Sequence, residues 1–101
     1  GSGFTPVLSI PAGNFKVIKG QSVVGEYWAS KHKRRCFCKH CGSALYSLKE
    51  PGAELRLRVG TLDEPLAFDV LGHIFFAERV DWTPVVDDFP KHAGFEPGRG
   101  R

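Results

Sequence analysis

Two cysteines separated by two residues, in Phe37-Cys38-Lys39-His40-Cys41-Gly42, are the side chains of this sequence best suited to chemistry. A turn of that length aims both sulfurs at one point, and the glycine that follows lets the backbone fold back past them. This is the layout of a zinc knuckle, and Cys38 and Cys41 are read as Zn2+ ligands. A structural zinc takes four ligands, the knuckle supplies two, and the sequence holds no second C-x-x-C. The competing reading is a redox or incidental pair. Thioredoxin-like pairs, however, open a helix in a βαβ unit, and no helical pattern follows here. Cys36 stays open between two roles. Residues two apart on a strand point to one face, so Cys36 could join Cys38 at a metal, with His32 and His40 close in sequence. Ligands so crowded make a poor tetrahedron, and a free, buried cysteine is the preferred reading.

The other residues of chemical interest have structural readings beside the functional ones. His73 precedes an apolar run and either faces a cavity or serves as a hydrogen-bonded structural histidine, the preferred role. Asp63 is expected to cap its own turn. Trp28 and Trp82 are expected in the core rather than as ligand platforms. There is no phosphate loop and no nucleotide fingerprint.

The elements that must hold these residues read as strands almost throughout. Thr5–Ile10 is a β-branched run that Pro11 is expected to stop, and Phe15–Ile18 resumes it. Lys19-Gly20-Gln21 is a turn. Strands are expected over Val23–Ala29, Lys33–Cys38 and Ala44–Leu48, the last ended by Glu50-Pro51-Gly52. Leu55, Leu57 and Val59 alternate with Glu54, Arg56 and Arg58, the mark of a half-buried antiparallel strand. Gly60–Pro65 is a tight turn, and His73–Ala77 is expected in the core. No segment keeps a 3.6-residue period over ten positions. The expectation is an all-β domain of about seven short strands. It allows at most a helical turn near Pro11–Asn14 or Asp87–His92.

Composition narrows the class. The chain has 101 residues, 42% hydrophobic and 25% charged, ordinary globular usage for one domain. The domain is placed over 1–97, with 98–101 as a frayed tail. Three cysteines cannot pair completely, which favours a metal or a reducing, cytoplasmic setting over a disulfide scaffold. No apolar run reaches membrane-spanning length, and the start lacks a signal-peptide layout. With no Met in the chain, it is read as processed or as a piece of something longer. The net charge of +3 is local: Lys31, Lys33, Arg34, Arg35 and Lys39 fall within nine positions that hold no acid. Such a stretch is either a solvated turn or a patch for phosphate or small carboxylates. Aromatic residues do not interleave with this patch as they do in single-strand binders, so nucleic acid is not the expected partner.

Taken in order, Phe37-Cys38-x-x-Cys41-Gly42-Ser43, Gly60-Thr61-Leu62-Asp63-Glu64-Pro65, His73-Ile74-Phe75, Trp82 and Asp87-Asp88-Phe89-Pro90 resemble the glutathione-dependent formaldehyde-activating enzyme family. Centromere protein V is another of its members. Ser2-Gly3-Phe4 and Ile10-Pro11-Ala12-Gly13-Asn14-Phe15 are similar to the family segment that follows its first cysteine clusters. The resemblance implies a Mss4-like, β-tent fold of small coiled antiparallel sheets with two zinc sites. The structural zinc would take Cys38 and Cys41 plus two cysteines of an N-terminal C-x-C. The catalytic zinc would take an N-terminal C-x-C-x-x-C. Neither N-terminal cluster occurs in these 101 residues, and Cys36 has no counterpart among the family ligands. The implied activity is that of a zinc-dependent carbon–sulfur lyase of the S-(hydroxymethyl)glutathione synthase type. It adds a thiol such as glutathione to formaldehyde, through a thiolate whose pKa zinc lowers. Arg34 and Arg35 are candidates for the glutathione carboxylates. Without the catalytic cysteines the chain as given is expected to be inactive. The alternative is a non-enzymatic zinc-binding interaction module.

Overall fold

The computed structural model of the chain describes residues 3–49, 54–64 and 69–97. They divide between two compact units, Pro6–Glu64, and Gly1–Thr5 with Pro65–Arg101. The expected turn at Glu50-Pro51-Gly52, the Pro65 end of the next turn and the 98–101 tail lie outside the described residues.

The first unit is one antiparallel sheet. Strand β1 spans Val7–Pro11, β2 Val24–Trp28, β3 Lys33–Cys38, β4 Ala44–Lys49 and β5 Glu54–Arg58. The order is β1-β5-β4-β3-β2, so four consecutive strands form a meander and β1 covers its far edge. The protein is all-β: among the described residues the helical segments are four single 3-10 turns. None is long and apolar enough to cross a membrane.

Strand side chains alternate, and the register sorts them into two faces. One face carries the rows Leu8–Leu57–Tyr46–Cys36–Glu26 and Ile10–Leu55–Leu48–Arg34–Trp28. The core lies on this face. Leu55 and Cys36 are its buried apolar side chains, at 1% and 2% exposure, and the Phe15 ring lies 4.8 Å from that of Tyr46. The other face carries the row Ser9–Arg56–Ser47–Arg35–Tyr27. Cys36 opposes Tyr46 while Phe37 opposes Ala44, so Leu45 is the extra residue of a bulge next to the cysteine turn.

Several expectations are corrected. Five strands are found among the described residues where about seven were expected. β1 starts at Val7 rather than Thr5 and stops at Pro11 as expected, with the proline itself the last paired residue, opposite Glu54; an edge strand tolerates the missing N–H. Phe15–Ile18 lies outside the sheet, because the 3-10 turn Ala12–Asn14 redirects the chain. Leu55 and Leu57 share a face as expected, but Val59 leaves the strand for the 3-10 turn Val59–Thr61. Trp28 is half exposed on edge strand β2, and Trp82 is 68% exposed, so neither is a core residue.

The second unit is built on bends rather than on a buried strand at His73–Ala77. His73 makes a parallel bridge to Lys91. Its N–H donates to the Pro90 carbonyl and its carbonyl accepts from His92 N–H. Phe75 then turns left-handed, at φ 51°, which bulky residues rarely adopt, and the 3-10 turn Phe76–Glu78 follows. That reversal breaks the alternation and leaves Ile74 exposed. The Phe75 ring meets Phe95 edge-on at 4.8 Å, a contact that offsets the backbone cost. A side chain on Gly72 would sit 2.8 Å from the Pro90 carbonyl, which explains the glycine there.

Candidate functional site

The cysteine turn joins β3 to β4. Cys38, the last residue of β3, donates its N–H to Ser43 O (2.9 Å) and accepts from Gly42 N–H (2.7 Å). Gly42 sits at φ 80°, the left-handed conformation that returns the chain to β4. Lys39 N–H anchors the turn to Val23 O, and the Lys39 ammonium donates to Ser22 O. The result is a pinned hairpin tip that carries both cysteines.

Cys38 is half buried, and Cys41 is exposed. The Cys41 thiol donates to Ser43 Oγ at 3.2 Å. Hydrogen bonds from the Ser43 hydroxyl, the Ser43 backbone and then the Cys38 side chain hold Cys41 below the ordinary thiol range, with burial opposing weakly. Cys38 thus lies near enough to Cys41 to act on its thiol. Such a pair suits one edge of a tetrahedral zinc site. Among the described residues, no group of three or more His, Cys, Asp or Glu side chains converges to complete one.

Cys36 stands apart from this pair. It is buried in the row between Glu26 and Tyr46. Burial pushes its thiol up, while the Tyr46 hydroxyl and then Arg34 pull it back. Tyr46 is raised for the same leading reason, burial. Arg34 is committed to Glu26 at 2.7 Å. Arg35 emerges on the opposite face and is exposed. His32 and His40 are exposed, each in a hairpin loop.

A second polar cluster lies in the other unit. His73 Nε2 and Asp87 Oδ2 are 2.9 Å apart. Asp87 Oδ1 accepts from Lys91 Nζ at 3.1 Å and from Phe89 N–H at 3.0 Å. Burial alone would raise the Asp87 carboxyl, but His73, Lys91 and the Phe89 amide together hold it below its ordinary value. Rings of Phe76 and Phe89 flank the imidazole at 5.8 and 6.5 Å. His73 is thus the hydrogen-bonded histidine of the structural reading. Asp63 is exposed, and its turn is closed by Thr61 Oγ1 on Arg58 O and by Leu62 N–H on Val59 O. Sequence reasoning missed Tyr46 as the partner of Cys36 and Asp87 as the hub of the second cluster. The signal for Asp87 was its position two residues before Phe89-Pro90, an Asx-turn pattern.

No curated protein and no solved structure matches the chain. The family pattern described as glutathione-dependent formaldehyde-activating enzyme matches residues 1–78, a span that holds the whole sheet, the cysteine turn and His73. The chain belongs to the glutathione-dependent formaldehyde-activating enzyme family.

Proposed function

We propose that this chain carries one half of a structural zinc site, Cys38 and Cys41, within a domain of the carbon–sulfur lyase type that joins thiols to formaldehyde. The observation that supports it most is the pinned turn with its two neighbouring thiols, in a chain of the formaldehyde-activating family. Glutathione is the proposed thiol substrate, the Mss4-like arrangement the proposed fold, residues 1–97 the proposed domain and the cytoplasm the proposed setting. Zinc would draw on both sulfurs as thiolates and tie metal binding to folding. The three further thiolates that the catalytic zinc would need are not among these 101 residues, whose cysteines are Cys36, Cys38 and Cys41. The chain alone is therefore expected not to accelerate S-hydroxymethylglutathione formation. A non-enzymatic zinc-binding interaction module, built on the same Cys38–Cys41 turn, is the second reading.

Metal analysis of the purified chain tests the zinc claim. Cys38→Ser should lower zinc content and thermal stability together. Both unchanged would refute a structural knuckle. NMR of the formaldehyde–glutathione adduct, with and without protein and zinc, tests the catalytic claim. Zinc-dependent acceleration by the 101 residues would show that other side chains rebuild the site.

A further inference from the structure

The sheet face opposite the core is a basic surface, exposed at Tyr27, Arg35 and Lys49, that no part of the zinc chemistry uses. Its strand residues include Lys33 and Arg35 on β3, Lys49 on β4, and Arg56 and Arg58 on β5, with Glu54 as the only acid among the described strand positions of this face. Arg56 is held by Glu54 and by the Ser9 hydroxyl. Arg35 is exposed, and no ion pair ties Arg35 or Arg58 among the described residues. Lys33 stands directly across the ladder from Lys49. The β2–β3 hairpin adds exposed Lys31 and His32 beside this corner.

Pairing also places aromatic rings among these cations. Tyr27 lies opposite Arg35 in the β2–β3 register and is 62% exposed. Phe37 lies opposite Gly25, and a side chain on Gly25 would fall 2.5 Å from the Phe37 ring, so that ring lies over the glycine on the same face. Five strands about 4.8 Å apart give a face about 19 Å across. A backbone-tracking row of cations beside stackable rings is the chemistry that holds single-stranded nucleic acid. Duplex has no unstacked base to offer Tyr27, and a sulfated polysaccharide has no aromatic base at all. We propose that this face, centred on Tyr27, Arg35 and Arg58, binds single-stranded nucleic acid.

The test is fluorescence anisotropy of the 101-residue chain with labelled 12-mer oligo(dT) and oligo(U), against a 12-bp duplex and unlabelled heparin as competitor. Single strands are expected to bind more tightly than duplex. Three or four phosphate contacts predict a log–log salt slope of about −2 to −3. Tyr27→Thr keeps a β-former at the position and should weaken single-strand binding about tenfold, near the low end of stacking on one aromatic, and Tyr27→Phe should restore it. Arg35→Ser with Arg58→Ser should flatten the slope by about 1.4. Circular dichroism checks that each variant keeps the sheet. The proposal is overturned if no single strand binds at about 50 mM salt. It is equally overturned if duplex and heparin match the single strand and Tyr27→Thr changes nothing, because the face would then be a plain counterion surface.

Discussion

Leu55→Ala should destabilise the protein by about 3 kcal/mol, a large part of a small domain's stability. Leu55 is 1% exposed and paired on both sides, to Leu48 of β4 and Ile10 of β1. Three carbons leave a buried site, worth about 0.8 kcal/mol each in transfer, or roughly 2.4 kcal/mol. Because β5 is hydrogen-bonded on both edges, the backbone cannot close over the space, and the cavity adds to the loss, within the 2–5 kcal/mol usual for Leu→Ala. Leu57 shares the face two residues on but is only half buried, so Leu57→Ala should cost about 1 kcal/mol by the same area argument. Urea unfolding followed by tryptophan fluorescence measures both. At a slope of about 1–3 kcal/mol/M, the Leu55 variant should lose roughly 1–3 M in midpoint with the slope unchanged. A Leu57 variant as damaged as the Leu55 variant, or a Leu55 variant that loses under about 1 kcal/mol, would refute the placement of the core on this face.

Two further outcomes follow from the ionisable groups. A thiol-specific reagent at neutral pH should modify Cys41 first and Cys36 last, since hydrogen bonds favour the Cys41 thiolate while burial disfavours that of Cys36; peptide mapping of a time course reads the order, and early labelling of Cys36 would contradict its burial. Asp87 has a folded-state pKa below its ordinary 3.8, so its contribution is present above 3.8 and lost as pH falls through the lower, folded value. Asp87→Asn should therefore flatten acid destabilisation below about pH 4, measured by thermal melts from pH 2 to 7, and an unchanged acid limb would show that the cluster around His73 adds no stability.

Local patterns carried much of the fold. Strict alternation marked β5, and the cysteine spacing marked the turn, because both are set by a few adjacent residues. The alternation also announced that Leu55 and Leu57 share a face. What stayed hidden depends on distant partners. Nothing near Phe75 signals a left-handed turn, since it is held by hydrogen bonds to Gly94 and His92 and by the Phe95 ring. The Cys36–Tyr46 pairing depends on a bulge that shifts the β3–β4 register. Trp28 reads as core by type, yet its strand ends the sheet, and an edge has neighbours on one side only. Tyr27 and Arg35, by contrast, sit in one hairpin, and only its exact register makes them neighbours.

The strand order has a kinetic consequence. Each of β2 through β5 pairs with its neighbour in sequence across a short connection, whereas β1 must find β5 across more than forty residues, as Val7 meets Arg58 and Pro11 meets Glu54. Closing that long loop is entropically the most expensive step in assembling the sheet, and nearby hairpins form faster than remote pairings. The meander therefore condenses first and β1 zips on last. In the finished protein the same strand is the first to peel away, exposing the outer ladder of β5 while the cysteine turn, held in the β3–β4 hairpin and not paired to β1, keeps its shape.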